Sequence, residues 1–499
     1  MTGSVLDALD AHAAARPDAL ALDDVSYAEL RQASLRVAAQ LRAAGLGPGD
    51  RLAVYAENRR GFVYAYLGGL RAGAIVVTVN VLYRSSDLQH ILGDATPSVV
   101  AVSEASAQYV PAHDGRTIVR LDEVERWARD PSLAPLANAR PPQPDDGAIL
   151  IYTSGTTGRS KGALLTHGNL GAIADALVEA WHWTPSDTLL LTLPLFHVHG
   201  LGAGLNGTLV AGGRVLLRER FEAQPVIAAL AAGDATMFFG VPTMYVRILE
   251  QTPPDVRFEG MRLFVSGSAA LPASVHEEFA RRFGISILER YGSTEFGFAL
   301  SNRYDGARHA GTVGFPLPRV EVRLGDPGTA ADVAPGEAGE ILVHGPNVFA
   351  AYWQNEAATA AAFVHDAHGR RWYKSGDLAT FDSERGYTIN GRLKELVISG
   401  GFNVYPIEVE DELLRIPGIR AAAVVGQPDA ARGEIPVAFV ETDAQFDAEQ
   451  TLATLRERLA SFKVPKHLYP IDALPRNAMG KVEKPRLREL LAASSATGG

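Results

Sequence analysis

The sequence predicts an α/β protein. Its large N-terminal domain holds parallel-type sheets with helices and a β-rich subdomain, and its small C-terminal domain is α+β. Three observations lead there. Strand-like apolar runs alternate with helical spacing up to about residue 320. From Val320 to Val343 the pattern changes to short alternating strands with Gly and Pro turns. Beyond Gly391-Arg392-Leu393-Lys394 the remaining stretch carries a pattern of its own. At 499 residues the chain is too long for one core. The boundary is expected between residues 392 and 393, giving domains 1–392 and 393–499.

In order along the chain, Tyr27 to Ala44 has helical spacing and stops at the breaker Gly45-Leu46-Gly47-Pro48-Gly49-Asp50. Arg51 to Tyr55 reads as a buried strand, Gly61 to Ala72 as a helix and Ala74 to Val79 as a strand. Further strands are expected at Leu189 to Leu193, Arg214 to Leu217, Ala235 to Phe239 and Leu263 to Val265. In the C-terminal domain the expected order begins with a strand (Glu395 to Ile398), the turn Ser399-Gly400-Gly401 and a helix (Ile407 to Leu414). Strands at Ala421 to Val425 and Pro436 to Glu441, a helix (Ala448 to Ala460) and a short strand near Tyr469 follow. The small-residue tail, Ala492 to Gly499, is expected to be disordered.

Composition narrows the function. The net charge of −10 argues against nucleic acid or an anionic membrane as the main partner. The absence of cysteine excludes disulfides, thiolate zinc sites and cysteine nucleophiles. The N-terminus lacks a basic start with an apolar core, and no run approaches the roughly 18 apolar residues of a membrane span. A cytoplasmic location is therefore expected.

One stretch suggests phosphate chemistry. The apolar run Ala148-Ile149-Leu150-Ile151 leads into Tyr152-Thr153-Ser154-Gly155-Thr156-Thr157-Gly158-Arg159-Ser160-Lys161-Gly162. Backbone N–H groups of a glycine-rich turn can converge on phosphate oxygens, hydroxyls add donors and a lysine adds charge. The spacing is not that of the P-loop, in which the lysine directly follows a glycine and precedes Ser or Thr.

This stretch resembles the signature loop of the adenylate-forming superfamily, which includes acyl-CoA synthetases, luciferases and nonribosomal-peptide adenylation domains. Four further segments resemble that superfamily's motifs in the expected order. By resemblance, in Tyr291-Gly292-Ser293-Thr294-Glu295, Tyr291 stacks on adenine, Thr294 approaches the phosphates and Glu295 binds Mg²⁺. Asp377, in Lys374-Ser375-Gly376-Asp377, receives the ribose hydroxyls. Arg392 lies near the ribose, and Lys394 is the hinge about which the small domain rotates. Pro475 to Lys481 carries the adenylation lysine, Lys481.

The resemblance implies that ATP activates a carboxylic acid. The acid attacks the α-phosphorus, pyrophosphate leaves, and a thiol then attacks the acyl-AMP. Coenzyme A is the expected thiol, with a carrier-protein thiol as the alternative. Positioning and charge neutralisation do the work, through Lys161, Lys481 and Mg²⁺. Gly400 and Gly401 are expected to line the thiol's passage. Thr153, Ser154, Gly155, Thr156, Thr157 and Gly158 are expected around ATP.

Leu195-Phe196-His197-Val198-His199-Gly200, Ser266 to Ala270, Arg247 and Arg290 resemble the malonyl-CoA synthetase branch. A dicarboxylate needs a permanent cation for its second carboxylate, and arginine offers a bidentate fork. Arg247 is the first candidate, with Ser268 and Arg290 beside it and His197 near the reacting carboxylate. The branch commonly has methionine where Ser293 stands and threonine where Phe296 stands. Position 293 is expected near the acyl pocket, where a smaller and more polar serine admits a 2-substituted malonate such as methylmalonate or moves the preference elsewhere. A ligase for another short-chain or aromatic acid is the alternative. A non-catalytic nucleotide-binding protein is disfavoured by the two lysines. The match Gly158-Arg159-Ser160-Lys161-Gly162 to a hydrolase elbow places its serine too far past the strand, and His197 with His199 lack a third zinc ligand.

Overall fold

The computed structural model describes residues 3–112, 115–137, 140–153, 159–400, 402–429, 432–443, 446–477 and 480–496. The chain divides into two compact units. The first comprises Met1–Ala310, Gly314–Val322 and Val343–Tyr373; the second comprises Gly311–Val313, Arg323–Leu342 and Lys374–Gly499.

The first unit holds two sheets. One runs in the order 351–352, 161–166, 147–153, 75–79, 51–55, 99–102, 117–120. From Gly147–Thr153 to Thr117–Arg120 its neighbours are parallel. The other runs 315–316, 300–301, 288–291, 263–266, 237–240, 188–191, 214–217, 20–22, 25–26, parallel from Leu288–Tyr291 to Leu20–Leu22. Strands covered on both faces carry continuous apolar runs; Ile75–Val79 and Met237–Gly240 are buried throughout. The predicted helix begins at Tyr27 and ends at Ala43, its start fixed by a capping box between Ser26 and Glu29. Strand Arg51–Tyr55 lies where the sequence places it.

In the second unit, Lys374 to Asp382 pairs antiparallel with Gly386–Arg392, setting Asp377 opposite Arg392. A separate five-stranded sheet has the order 402–404, 397–399, 433–442, 419–429, with 468–470 parallel to 433–442. Its central hairpin, Ile419–Asp429 with Gly433–Thr442, is much longer than its apolar core suggests. Helices Pro406–Leu414 and Ala448–Arg458 cover one face through Val409, Leu413 and Leu455. Helix Lys484–Ala496 covers the other through Leu487 and Leu491. That helix corrects the expectation of a disordered tail as far as Ala496: Leu487 and Leu491, four apart, have a sheet face to pack on. No described helix is long and apolar enough to cross a membrane.

Candidate active site

Three clusters hold most of the sequence-predicted residues. In the first unit, strand Gly147–Thr153 turns back into Lys161–Thr166, with Thr153 opposite Lys161. Lys161 therefore opens the return strand rather than sitting within the loop. Ser154, Gly155, Thr156, Thr157 and Gly158 lie outside the described residues. The two ends of this hairpin are gripped by one helix, Ser85–Ala95. Tyr152 donates its hydroxyl to Asp94 at 2.5 Å, and the ring Nε2 of His90 bonds the Ser160 carbonyl at 2.8 Å. The spacing of four puts His90 and Asp94 on one helical face.

The return strand pairs with Ala351–Tyr352, setting Tyr352 opposite Ala163. The Lys161 ammonium lies 5.2 Å from the centroid of the Tyr352 ring. The Tyr352 hydroxyl donates to Glu295 Oε1 at 3.0 Å, and Thr153 Oγ1 approaches the same oxygen at 3.4 Å. Ser293 Oγ donates to Glu295 Oε2 at 2.9 Å and accepts from the Glu295 N–H at 3.2 Å. The Ser293 hydroxyl is thus engaged with Glu295. Burial, then the Glu295 charge, raise Tyr352 above the usual phenol range, so it is a donor at neutral pH. Among the described residues no cluster of three His, Cys, Asp or Glu could hold a metal by itself. One buried hard carboxylate suits Mg²⁺, which commonly takes one or two protein carboxylates together with substrate phosphates.

Tyr291 ends its strand half-buried, with its ring 5.5 Å from that of Phe296. The turn that follows requires glycine at 292, since a Cβ there would lie 2.0 Å from the Gly297 carbonyl oxygen. Thr294 is buried beyond that turn.

The second cluster lies at the C-terminal ends of the parallel strands 263–266 and 288–291, the usual ligand crevice of such sheets. Arg290 is buried, and its guanidinium lies 4.5 Å from the centroid of Phe298. Arg290 Nη2 donates to Ser268 Oγ at 3.4 Å, and Ser268 Oγ lies 3.3 Å from His199 Nδ1. Ser268 adopts a left-handed φ of 71°, unusual for a non-glycine residue. Ser268 accepts from Arg290, and the imidazole tautomer sets the sense of its contact with His199 Nδ1. His199 Nε2 and Arg290 Nε are both buried without a partner among the described residues. No carboxylate pairs with Arg290 among the described residues. Burial lowers Arg290 to about 9. Burial, then the Arg290 charge, lower His197 to about 4 and hold His199 well below the ordinary imidazole range. His197 is half-buried and accepts the His199 N–H on Nδ1 at 3.3 Å. His199 opens a π-helix, His199–Asn206, a rare element found often at functional sites.

Arg247 is not part of this cluster. Its helix, Pro242–Gln251, turns Tyr245 and Ile248 into the core and leaves Arg247 exposed. Of the two candidate arginines, Arg290 is the buried one.

The third cluster belongs to the second unit. Asp377 is buried, and Arg392 Nε lies 3.0 Å from Asp377 Oδ1. Gly376 N–H donates to the buried Glu340 at 2.8 Å. Lys481 shares this environment: burial, then the Arg392 charge, lower its pKa against the pull of Asp377 and Glu395. Lys484, three residues on, bridges Glu410 at 2.8 Å and Glu395 at 3.2 Å. Lys394 is exposed on the short 3₁₀ turn Leu393–Glu395. Gly400 is exposed and its N–H donates to the Arg432 carbonyl at 2.9 Å. Gly401 lies outside the described residues.

Sequence reasoning missed Tyr352, His199, His90, Asp94, Glu395 and Lys484 as neighbours of the site. Only His199 carried a signal, in Leu195-Phe196-His197-Val198-His199-Gly200, where it was read within a branch-like segment and weighed with His197 as a zinc ligand.

Residues 9–353 match the family described as AMP-binding enzyme, and residues 408–481 match the AMP-binding enzyme C-terminal domain. A feruloyl-CoA synthase of Amycolatopsis sp is 37% identical over 93% of this chain and 93% of its own. The mitochondrial malonate--CoA ligase ACSF3 of Mus musculus is 35% identical over 93% of this chain and 87% of its own. The crystal structure of ATP-bound MatB from Rhodopseudomonas palustris superimposes with a TM-score of 0.91 at 38% identity, covering 98% of this chain and 99% of that one. The chain belongs to the AMP-binding enzyme family and is an adenylate-forming, AMP-releasing acyl-CoA ligase.

Proposed function

We propose that the enzyme joins a small dicarboxylic acid, malonate or methylmalonate, to coenzyme A through an acyl-AMP, releasing AMP and pyrophosphate. One observation carries the reading: among the described residues, the cluster of Arg290, Ser268 and His199 holds a buried cation without a carboxylate and two buried nitrogens, Arg290 Nε and His199 Nε2, without partners. Such groups are costly unless an acceptor meets them, and a distal carboxylate supplies both charge and acceptors. The likeness to MatB and to the malonate--CoA ligase supports it. The feruloyl-CoA synthase at similar identity favours an aromatic acid as the second reading.

In the proposed reaction Arg290 and His199 hold the distal carboxylate, and the other carboxylate attacks the α-phosphorus of ATP. Lys161, with the loop from Thr153 to Gly158, holds phosphate, and Lys481 neutralises charge as the acyl-AMP forms. Tyr291 packs on adenine, and Asp377 and Arg392 receive the ribose. Glu295 would hold Mg²⁺, which when bound supplies positive charge to the phosphates. The C-terminal domain, from residue 393, pivots at Lys394 and brings Gly400 and Gly401 to the thiol. The enzyme works in the cytoplasm. The test is CoA-dependent AMP release with malonate, methylmalonate, acetate, butyrate, benzoate and ferulate. Malonate or methylmalonate should lead by at least tenfold in kcat/KM, about 1.4 kcal/mol. Preference for ferulate or benzoate would overturn the reading, and activity only with a carrier-protein thiol would replace coenzyme A.

A further inference from the structure

We infer that Ser293 and Tyr352 form a two-sided hydroxyl clamp that fixes the Glu295 carboxylate for the metal–nucleotide complex, making both of them positioning residues for ATP rather than determinants of the acid. The inference rests on the reading of Glu295 as the Mg²⁺ carboxylate. It starts from the separate oxygens the two hydroxyls address: Ser293 donates to Oε2 at 2.9 Å and Tyr352 to Oε1 at 3.0 Å. A carboxylate held at one oxygen can still rotate about its last torsion, whereas one held at both has its plane fixed. Ser293 is itself fixed, because the Glu295 N–H donates back to its oxygen.

Tyr352 is fixed more strongly. Its backbone N–H donates to Thr359 Oγ1 at 3.0 Å, and its strand pairs with the strand that Lys161 opens. Its hydroxyl also meets that of the buried Tyr373. The same ring lies under the Lys161 ammonium. One side chain thereby sets the spacing between the two charged groups that address phosphate, a cation on its face and an anion at its hydroxyl. Groups that orient a metal-binding carboxylate commonly matter about 10–100-fold in metal affinity or activity.

The test is equilibrium binding of ATP by calorimetry, with Mg²⁺ and with EDTA, for Ser293→Ala, Tyr352→Phe and Glu295→Gln. Thermal unfolding checks the fold of each, and Ser293→Thr serves as the variant that keeps the hydroxyl. The clamp predicts that Ser293→Ala and Tyr352→Phe each weaken ATP binding about tenfold with Mg²⁺ and little with EDTA. It predicts that Ser293→Thr restores most of the loss and that the ratio of malonate to methylmalonate kcat/KM stays within about twofold. Mg²⁺-independent losses, or a changed acid preference with unchanged ATP binding, would overturn it and return Ser293 to the acyl pocket. If Glu295→Gln itself leaves Mg²⁺-dependent binding intact, the assignment of Glu295 to the metal falls. If only Glu295→Gln weakens binding, the clamp alone falls.

Discussion

Gly267 lies directly against Arg290: a Cβ at position 267 would come within 2.5 Å of the guanidinium carbon and 2.6 Å of Nε. The buried arginine occupies the space that a side chain would otherwise take. It is backed by the Phe298 ring and hydrogen-bonded to Ser268. A residue without a side chain thus helps to set where the cation of the acid site sits.

Gly267→Ala should therefore damage recognition more than stability. The clashing atoms belong to the end of a flexible side chain, so the arginine can move while the sheet stays. Stability is expected to fall by no more than the roughly 1–3 kcal/mol of ordinary overpacking. The KM for malonate should rise about tenfold or more, because small displacements of positioning groups are expensive. Denaturant unfolding and steady-state kinetics check the two halves; a wild-type KM in a folded variant would remove Arg290 from acid recognition.

Arg290→Leu and Arg247→Ala should separate cleanly. Removing the buried cation is expected to cost about 2–5 kcal/mol in kcat/KM for a dicarboxylate, the range for truncating a buried charge partner. It should spare or improve a short monocarboxylate such as butyrate. Stability should hold or rise, since a buried charge without a carboxylate is lost. Exposed Arg247 should change kcat/KM by less than about twofold when truncated, in keeping with a surface charge. A reversed order of effects would restore Arg247 as the recognition residue.

The two histidines predict an acid-side signature. His197 is lowered to about 4 and His199 falls well below its ordinary range, burial being the main cause. Between pH 6.5 and 4 the unfolded chain binds more protons at His197 than the folded one. Stability contributed by neutral His197 is therefore present above 6.5 and is lost as the pH falls towards 4. Denaturant melts from pH 7 to 4.5 should show this decline, and His197→Gln should flatten it. The acid limb of kcat/KM should likewise lie below 6.5. An unchanged slope in the variant would mean that His197 is not held neutral.

Lys481→Ala is expected to abolish pyrophosphate exchange while largely sparing thioester formation from preformed acyl-AMP. The lysine sits with Asp377 and Arg392, the residues read as facing the ribose, and burial and Arg392 lower its pKa. Equal loss in both half-reactions, measured separately, would contradict a pivot that withdraws Lys481 after the first.

Much of this was legible in the chain itself. Alternating apolar strands and helical spacing are local properties, so Arg51–Tyr55 and the helix beginning at Tyr27 could be read directly. The segments around Thr153, Glu295, Asp377, Arg392 and Lys481 were legible for a related reason, because each needs particular residue types within a few positions. The length of the hairpin Ile419–Asp429 with Gly433–Thr442 was not, because its outer residues are held by cross-strand pairing and by the strand Val397–Ser399, a partner distant in sequence.

What the sequence determined by itself is the α/β architecture, which rests on short-range pattern, and a glycine–hydroxyl loop suited to phosphate, whose resemblance to the adenylate-forming superfamily implied the activation of an acid by ATP. What only the tertiary structure decided is which side chains meet. Glu295 and Tyr352 are 57 residues apart, and Ser268 and His199 are 69. Arg247 and Arg290 look equally able to bind a carboxylate in the chain. Burial separates them, and burial is set by how helix and strand pack on the rest of the fold.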